Sequence, residues 1–509
     1  MSRQDRHEHD DDQQDDQRED EPQDVREREI TGEHDGVRTG SGSDRDQPGT
    51  KAPSGAAHLK DEAARAARRA ADEVYAGILE RAPEHDIDPT LDRVRAVCEL
   101  LGDPQRAYRV VHVTGTNGKT STARMIERLV REHGLRTGRF TSPHLTRVTE
   151  RIAVDGEPIS DELFVATWQD VAPYVHMVDV QEQAAGRPRL SFFEVFTVMA
   201  FAAFADAPVD VAVIEVGMGG RWDATNVADG EVAVITPVAY DHERWLGHTL
   251  VEIAGEKAGI VKDGATLVLA TQDEDAEGVI LQAAAERGAR VIREGIDVDV
   301  VERRVAVGGQ LLTLRGTGGV YTDVFLPMHG EHQAHNALAA LVATEALMAG
   351  GAALEGGIVE VAFADVDSPG RLEIVRTSPT ILVDAAHNPA GAQALVTAVE
   401  EAFAFQRVVG VFGVMADKDP ENILAVLEPV LDEIVLTRAS TPRAMEVDDL
   451  AEIAEDVFGE DRVHVRERLD DAVTLAADLA ERDVERGAAV LVTGSILLVA
   501  EARTLLGRS

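Results

Sequence analysis

The residues with the clearest chemical meaning form a short glycine-rich loop that ends in a lysine. Its members are Gly115, Thr116, Asn117, Gly118 and Lys119, followed by Thr120 and Ser121. An apolar strand precedes the loop, and an apolar stripe at helical spacing follows it. Backbone N–H groups in such a loop can turn toward a phosphate, the lysine adds a positive charge, and the hydroxyls stand near a metal or phosphate oxygen. The pattern predicts a site for a nucleoside triphosphate.

The loop departs from the usual phosphate-binding pattern at one position. That pattern has a glycine five positions before Gly118, where this chain has Val113, so the loop opens only at Gly115. A glycine turn that carries a surface lysine is the alternative interpretation. The strand before the loop and the helix after it favour the phosphate site.

Further polar residues follow two apolar strands that the sequence predicts after the loop. Glu215 lies near the end of one strand, and the next strand leads to Asp241 and His242, while Lys257 comes from a later helical segment. Ligands bind at the carboxyl ends of parallel strands, so these groups are expected near the phosphate loop, and Glu215 suits Mg²⁺. Each also has an ordinary interpretation, as a solvated strand end, a surface imidazole or half of a helical ion pair.

The chain is strongly acidic. It has 92 Asp and Glu against 50 Lys and Arg, a formal net charge of −42 over 509 residues. Nucleic acid is therefore not an expected partner, because phosphate contacts need a surplus of basic residues. A chain of this charge repels itself unless salt screens it, which predicts a high-salt cytoplasm, as in halophilic archaea. The few lysines are each candidates for function: Lys51, Lys60, Lys119, Lys257, Lys262 and Lys418.

The sequence predicts neither a membrane span nor an export signal. No uninterrupted apolar run reaches the roughly 18 residues that a span needs, and the first residues lack a charged-then-apolar leader. The single cysteine, Cys98, lies in an apolar helical run and is expected to be a packed thiol. We expect a cytoplasmic protein that has no membrane partner.

The patterns divide the chain into a tail and two α/β domains. Residues 1–60 are polar and charged and are expected to be a disordered acidic tail. Helical patterns begin at Asp61, and strands and helices alternate from Val110. Residues 61–364 are therefore predicted to be a P-loop ATP-binding domain on a parallel sheet, with an antiparallel ribbon over residues 298–326. After a short polar stretch the alternation resumes, which predicts a smaller Rossmann-like domain over residues 370–509.

The loop and the later motifs resemble the folylpolyglutamate synthases and dihydrofolate synthases, a family of muramyl-peptide ligases. The similarity covers nearly everything after the tail. The segments that carry it are 112–122, 141–145, 192–194, 215–226, 241–242, 256–260, 369–373, 384–389 and 492–495. Eight segments in order beyond the loop are far more specific than the loop alone. One departure is that Thr120 follows Lys119, as in many cell-wall ligases, where folate-type members commonly have glycine.

The resemblance implies a role for each segment, with Lys119, His242 and Lys257 as the catalytic residues. The implied Mg²⁺ ligands are Ser142, Glu215, His242 and Lys257, the last carboxylated on its amine to hold a second ion. The implied ATP contacts are the loop residues together with Asn336, Arg371, Asp384 and His387. The implied pterin site is Ser191, Phe192, Phe193, Glu194, Trp222, Asp223 and Ala224. The resemblance leaves room for K⁺ as well. The ordinary alternatives are a structural histidine at His387 and core packing for the two phenylalanines.

The resemblance implies ATP-dependent amide formation. A carboxylate of dihydropteroate or a reduced folate attacks the γ-phosphate, and the amine of L-glutamate then attacks the acyl phosphate. The partners are then small molecules, a monomer is expected, and closure of the two domains would exclude water. The alternatives are a ligase of the same fold that acts on another carboxylate, such as a muramyl peptide or cofactor precursor, and a nucleotide-regulated binding protein. The sequence leaves open whether the enzyme adds the first glutamate, extends a chain, or does both.

Overall fold

The computed structural model describes residues 55–82, 88–482 and 487–508. Most of the predicted tail, residues 1–54, lies outside the described residues. Helix α1 (Gly55–Leu79) begins inside the predicted tail, so the prediction of disorder is wrong for residues 55–60. The alanine-rich composition of the helix already starts at Ala56 and Ala57, and alanine has the highest helix propensity.

In the described part of the chain, the first sheet has eight strands. They are β1 (Arg109–Thr114), β2 (Thr137–Phe140), β3 (Ile152–Val154), β4 (Glu157–Pro158), β5 (Val211–Glu215), β6 (Val232–Ile235), β7 (Thr266–Leu269) and β8 (Arg290–Arg293). Their order across the sheet is β4-β3-β2-β5-β1-β6-β7-β8. The six strands from β2 to β8 in that order are parallel, and β3 and β4 add an antiparallel edge. The predicted parallel sheet is confirmed.

Helices cover both faces of this sheet because its central strands are apolar on both sides. In β1, Val110 packs into one core, while Val111 and Val113 pack into the other. The helices of this region are α2 (Asp92–Leu100), α3 (Lys119–Glu132), α4 (Asp161–Ala184), α5 (Phe192–Asp206), α6 (Glu243–Leu246), α7 (Leu250–Lys257) and α8 (Glu274–Glu286). Across the helices that the structure describes, none is both long and apolar enough to cross a membrane.

A three-stranded antiparallel sheet and two helices complete the first region. They are β9 (Asp299–Ala306), β10 (Gly309–Arg315), β11 (Val320–Leu326), α9 (Glu331–Ala349) and α10 (Gly356–Ala364). The antiparallel ribbon was expected from the alternation and the glycine turns, and it is confirmed. The connection that follows lies along α3, since Asp365 pairs with Arg128 at 3.0 Å and the hydroxyl oxygen of Ser368 lies 3.0 Å from that of Ser121.

The second sheet has six strands among the residues described. They are β12 (Glu373–Thr377), β13 (Thr380–Val383), β14 (Arg407–Phe412), β15 (Glu433–Leu436), β16 (Val463–Val465) and β17 (Ala488–Thr493), in the order β12-β13-β17-β14-β15-β16. The helices are α11 (Pro389–Ala402), α12 (Pro420–Leu427), α13 (Val447–Phe458), α14 (Leu469–Ala480) and α15 (Ile496–Leu505). All neighbours are parallel except β12, which pairs antiparallel with β13. The sequence did not predict β12, because this edge strand is mostly exposed and carries Glu373 and Arg376.

Candidate active site

A cavity of about 540 Å³ opens at the carboxyl ends of the first sheet's strands. Both α/β regions contribute to it, because it is lined by the loop after β1 and also by Arg371, Asp384 and His387. Every residue that the sequence analysis assigned to nucleotide, metal or pterin lines this one cavity. Residues spread over more than 270 positions of sequence are therefore brought together.

The glycine loop is tight enough that two of its positions require glycine. Gly115 has φ +147°, and a Cβ atom there would come within 1.8 Å of the hydroxyl oxygen of Thr236. Gly118 has φ +85°, and its Cβ would come within 2.4 Å of the amide oxygen of Asn336. The Thr116 N–H donates to the carbonyl of Pro237 at 3.0 Å. The loop is thus packed against the segment after β6, with its backbone held close to the cavity.

Two lysines, one buried and one partly buried, converge on one backbone carbonyl of this loop. The Nζ of Lys119 donates to the carbonyl oxygens of Gly115 at 3.2 Å and Thr116 at 3.0 Å, and the Nζ of Lys257 donates to that of Gly115 at 2.7 Å. Burial lowers the pKa of Lys119. Burial, with the positive charge of Lys119, lowers the pKa of Lys257 to about 7. A substantial fraction of the Lys257 amine is therefore uncharged near neutral pH.

Glu215, the last residue of β5, faces the first turn of α3. Its carboxylate accepts hydrogen bonds from the hydroxyl of Thr120 at 2.9 Å and the N–H of Ser142 at 3.3 Å. Burial raises the pKa of Glu215, while the charge of Lys119 opposes this shift. His242 has φ +53°, and burial lowers its pKa to about 3, so its ring is neutral and can act as a ligand.

The donors at this end of the cavity fit Mg²⁺. Mg²⁺ is usually held by one or two carboxylates together with waters and substrate phosphates, rather than by a cage of protein ligands. Glu215 supplies one carboxylate, and the hydroxyls of Thr120 and Ser142 line the same cavity. Within the described residues, no group of three His, Cys, Asp or Glu side chains could hold a metal by itself. The donor set therefore matches an ion that is completed by nucleotide phosphates.

Asp241 connects the two α/β regions across the cavity. Its carboxylate lies 2.6 Å from the Nζ of Lys418, 3.5 Å from the Nε2 of His387 and 3.2 Å from the Nδ2 of Asn388. Burial alone would raise the pKa of Asp241, but the hydrogen bond from His387 and the nearby charges hold it well below the usual range. Asn388 also exchanges two side-chain hydrogen bonds of 3.1 Å with Asn117 of the loop. The sequence analysis assigned no role to Lys418 or Asn388, although the rarity of lysine was a usable signal for Lys418.

Two of the expected nucleotide contacts, Asp384 and Asn336, are fixed by the protein backbone or by a neighbouring amide. Asp384 accepts the N–H groups of Leu372 and Ala386, both at 2.8 Å. Burial raises its pKa, and the charge of Arg371 opposes this shift. Asn336 donates to the side-chain oxygen of Gln333 at 3.0 Å. These contacts hold polar groups at the wall of the cavity.

The other end of the cavity is aromatic, and its charges are already paired. Ser191 and Glu194 form a capping box at the start of α5, and Glu194 also binds Arg93 at 2.9 Å. The guanidinium of Arg151 lies 5.1 Å from the centre of the Phe192 ring. Phe192 is thus packed against a cation within the core, while Phe193 and Trp222 also line the cavity. Nothing in the sequence pointed to Arg93 or Arg151, because both lie outside the segments that carry the family resemblance.

Two domain families match the two α/β regions. Residues 113–344 match the Mur ligase middle domain, and residues 370–496 match the glutamate ligase domain of Mur ligases. Together with the shared cavity, these matches define the chain as a ligase of the Mur type.

One relative and two solved structures narrow this class. The chain is 50% identical over 449 residues to the dihydrofolate synthase/folylpolyglutamate synthase of Mycobacterium tuberculosis, covering 84% of this chain and 92% of the relative. A crystal structure of the M. tuberculosis folylpolyglutamate synthase with ADP and AMPPCP has a TM-score of 0.83 at 48% identity, covering 87% of this chain and 99% of that one. Escherichia coli FolC in complex with DHPP and ADP has a TM-score of 0.71 at 31% identity, covering 82% and 94%. The chain belongs to the dihydrofolate synthase/folylpolyglutamate synthase family, which confirms the resemblance.

The relatives bear differently on two other expectations. The expectation of an ATP-binding ligase agrees with the nucleotides in both related structures. The expectation of a high-salt cytoplasm gains no support from them. For this chain, the motifs therefore predict the family better than the acidic charge predicts the habitat.

Proposed function

We propose that this chain is an ATP-dependent ligase that joins L-glutamate to dihydropteroate and to reduced folates. The observation that carries the proposal is that one cavity combines a glycine loop with Lys119, polar groups of the second region and an aromatic end. The relatives with the same two domains are dihydrofolate and folylpolyglutamate synthases. The ATP-binding domain then spans residues 55–364 and the second ligase domain residues 370–509.

In this proposal the phosphates of ATP lie against the loop. Its backbone N–H groups and the Nζ of Lys119 stabilise the charge that develops as the substrate carboxylate attacks the γ-phosphate. Both lysines now donate to loop carbonyls, so Lys119 would exchange these bonds for phosphate oxygens. Asn336, Arg371, Asp384 and His387 hold the rest of the nucleotide. The amine of glutamate then attacks the acyl phosphate, which the cavity shields from water.

Glu215, Ser142 and His242 would hold Mg²⁺, which supplies neutralising charge beside the phosphates. Lys257 is proposed to react with CO₂ through its amine and become a carbamate, an anion able to hold a second ion. That reaction needs an uncharged amine, and the buried Lys257 with its pKa of about 7 meets this need. The carbamate would give up the hydrogen bond that Lys257 now donates to Gly115.

The pterin ring is proposed to lie at the aromatic end. Phe193, Trp222 and Ala224 line the cavity there and present apolar surface to a flat ring. Phe192 is less suited to stacking because Arg151 already lies over its ring. We propose that the active form is a monomer and that it works in the cytoplasm, where ATP is available. Light scattering on the purified protein checks the monomer.

The deciding experiment is ADP release with dihydropteroate or tetrahydrofolate, each with and without L-glutamate. Release that needs dihydropteroate and glutamate together supports the synthase, and release with tetrahydrofolate and glutamate adds chain extension. Release that depends on neither pterin would overturn the proposal and favour a ligase for another carboxylate. ADP release that is the same with and without L-glutamate would favour a nucleotide-regulated binding protein.

A further inference from the structure

Asn388, the residue before helix α11, is buried, does not line the cavity and has no role in the proposed reaction. It exchanges two side-chain hydrogen bonds of 3.1 Å with Asn117 of the glycine loop. The two residues lie 271 positions apart and belong to different α/β regions. Their amide pair therefore joins the second region directly to the loop against which the phosphates of ATP are proposed to lie.

Two further partners fix the direction in which the Asn388 amide faces. Its Oδ1 accepts a hydrogen bond of 2.8 Å from the backbone N–H of Gly391, which caps the first turn of α11. Its Nδ2 donates at 3.2 Å to the carboxylate of Asp241, which only accepts hydrogen bonds when it is ionised. A backbone N–H and an ionised carboxylate cannot exchange roles. The amide of Asn117 must therefore face Asn388 in the complementary sense.

Asn117 is held by both regions at once. Its backbone carbonyl accepts a hydrogen bond of 2.7 Å from the hydroxyl of Thr236 in the first region, while its side chain is held by Asn388 of the second. Separation of the two regions would take these partners away from the buried Asn388 amide, and only water could replace them. The amide pair therefore opposes the entry of water at the loop.

Helix α11 meets the first region again near its other end. Glu401 pairs with Arg303 of β9 at 2.6 Å, and neither residue lines the cavity. Glu401 lies roughly 20 Å further along the helix than Asn388, at a rise of about 1.5 Å per residue. The same helix thus makes one contact with the first region at the loop and a second contact away from the cavity.

We propose that the amide pair of Asn117 and Asn388 keeps the second region closed over the loop while the acyl phosphate exists, so that glutamate rather than water takes the acyl group. The inference rests on the proposed function. Hydrolysis of the acyl phosphate consumes one water and returns the substrate carboxylate and inorganic phosphate, so a poorly closed cavity releases ADP without forming an amide. Asn388 is thus a positioning residue that acts through Asn117.

The chain offers matched variants for the test. Asn388→Ser keeps a capping hydroxyl for α11 and removes the amide that pairs with Asn117. Asn117→Ser removes the same pair from the side of the loop. Arg303→Gln breaks the ion pair at the far end of α11 and is the control for a general loosening of the two regions. Asp273→Ser, at the N-cap of α8, is the control for a change of capping residue.

The quantity to measure is ADP release with ATP and dihydropteroate but without glutamate, expressed as a fraction of glutamate-dependent turnover. Asn388→Ser and Asn117→Ser should each raise this fraction about tenfold, which corresponds to the net loss of roughly one hydrogen bond. In the Asn117→Ser background, Asn388→Ser should add little, because both changes break the same pair. Arg303→Gln and Asp273→Ser should keep the fraction within about twofold of the wild-type value.

A fall in both rates that leaves the fraction unchanged would overturn the inference and leave Asn388 a structural role. An equal rise in Arg303→Gln, or a full further rise in the double variant, would also overturn it. If one of the two serine variants does not fold, the other decides. Failure of the proposed function is separate, because the wild-type protein would then release no ADP in response to dihydropteroate and glutamate.

Discussion

The two ends of the cavity differ in how their charged side chains are paired. At the phosphate end, the partly buried Lys119 and the buried Lys257 donate to backbone carbonyls, and neither forms an ion pair in the described residues. At the aromatic end, the buried cation Arg93 is paired with Glu194 at 2.9 Å and with Asp88 at 2.6 Å. One end holds two amines that have no ion-pair partner in the described part of the chain, while the other pairs its buried cation with carboxylates of the protein.

This difference indicates which ligand groups each end is built to receive. Buried cations without paired carboxylates are costly in the free protein, and an anionic ligand such as a triphosphate relieves that cost on binding. A cation that is already paired with a carboxylate attracts an anionic ligand only weakly. The aromatic end is therefore expected to recognise its ligand by shape and by directed hydrogen bonds. Changes at the phosphate end should therefore affect turnover, and changes at the aromatic end should affect stability or pterin affinity.

The largest effect on turnover is expected when the charge of Lys119 is removed. Lys119→Met should lower kcat by about a thousandfold, in the range seen when one preorganised group that stabilises transition-state charge is removed. The melting temperature should stay the same or rise, because the variant removes a partly buried charge that has no ion-pair partner among the described residues. Single-turnover kinetics and thermal unfolding measure the two effects. Lys262→Met, which removes a lysine outside the cavity, is the control, and an equal loss of kcat in both variants would contradict the prediction.

A second large effect concerns the chemistry of Lys257. Preparation in buffer free of CO₂ should lower turnover, and bicarbonate should restore it, because the proposed carbamate forms and decomposes reversibly. Lys257→Ala should lower kcat by about a hundredfold and abolish the response to bicarbonate. A carbamate signal from ¹³C-labelled bicarbonate should be present in the wild type and in Lys262→Met, and absent in Lys257→Ala. Full activity without CO₂ would show that the unmodified amine suffices.

The paired charges of the aromatic end predict a loss of stability rather than of turnover. Glu194→Gln leaves Arg93 buried with only its outer partner and should lower the free energy of unfolding by about 3 kcal/mol. Asp88→Asn is the matched control, because the Asp88 side chain is 52% exposed and its loss should cost about 1 kcal/mol or less. Urea denaturation compares the two. Equal losses would mean that Arg93 depends on both carboxylates alike.

The sequence predicted the phosphate end better than the aromatic end for a physical reason. A phosphate site needs glycines and a lysine at fixed spacing after a strand, and this local pattern can be read directly in residues 115–119. Lysine scarcity carried further information, because Lys119, Lys257 and Lys418 all line the cavity. The pairing of Arg93 with Glu194 joins residues 101 positions apart, and no local pattern announces it.

The fold was likewise predictable where a local sequence pattern exists and was missed where that pattern is weak. Alternating apolar strands and helices predicted both sheets, since strands buried on two faces must be apolar throughout. The edge strand β12 and the start of α1 were missed, because an exposed edge and an alanine-rich helix leave weaker signals. His112 illustrates the remaining gap, since its position in β1 is evident from the sequence, whereas its contact with Thr225 is set by tertiary packing.

The smallest expected effect comes from deleting residues 1–54, which should leave kcat and every KM within about twofold. Helix α1 begins at residue 55 and stays intact, and its Tyr75 and Leu79 still line the cavity. Most of the acidic excess lies after residue 54, so the charge that keeps the protein soluble also remains. Deletion through residue 82 is the contrast, because it removes the buried Ala71 and Ile78 from the core behind the aromatic end. That larger deletion should destabilise the protein, whereas a fall in turnover with the shorter one, in a protein that still folds, would assign the acidic segment a part in catalysis.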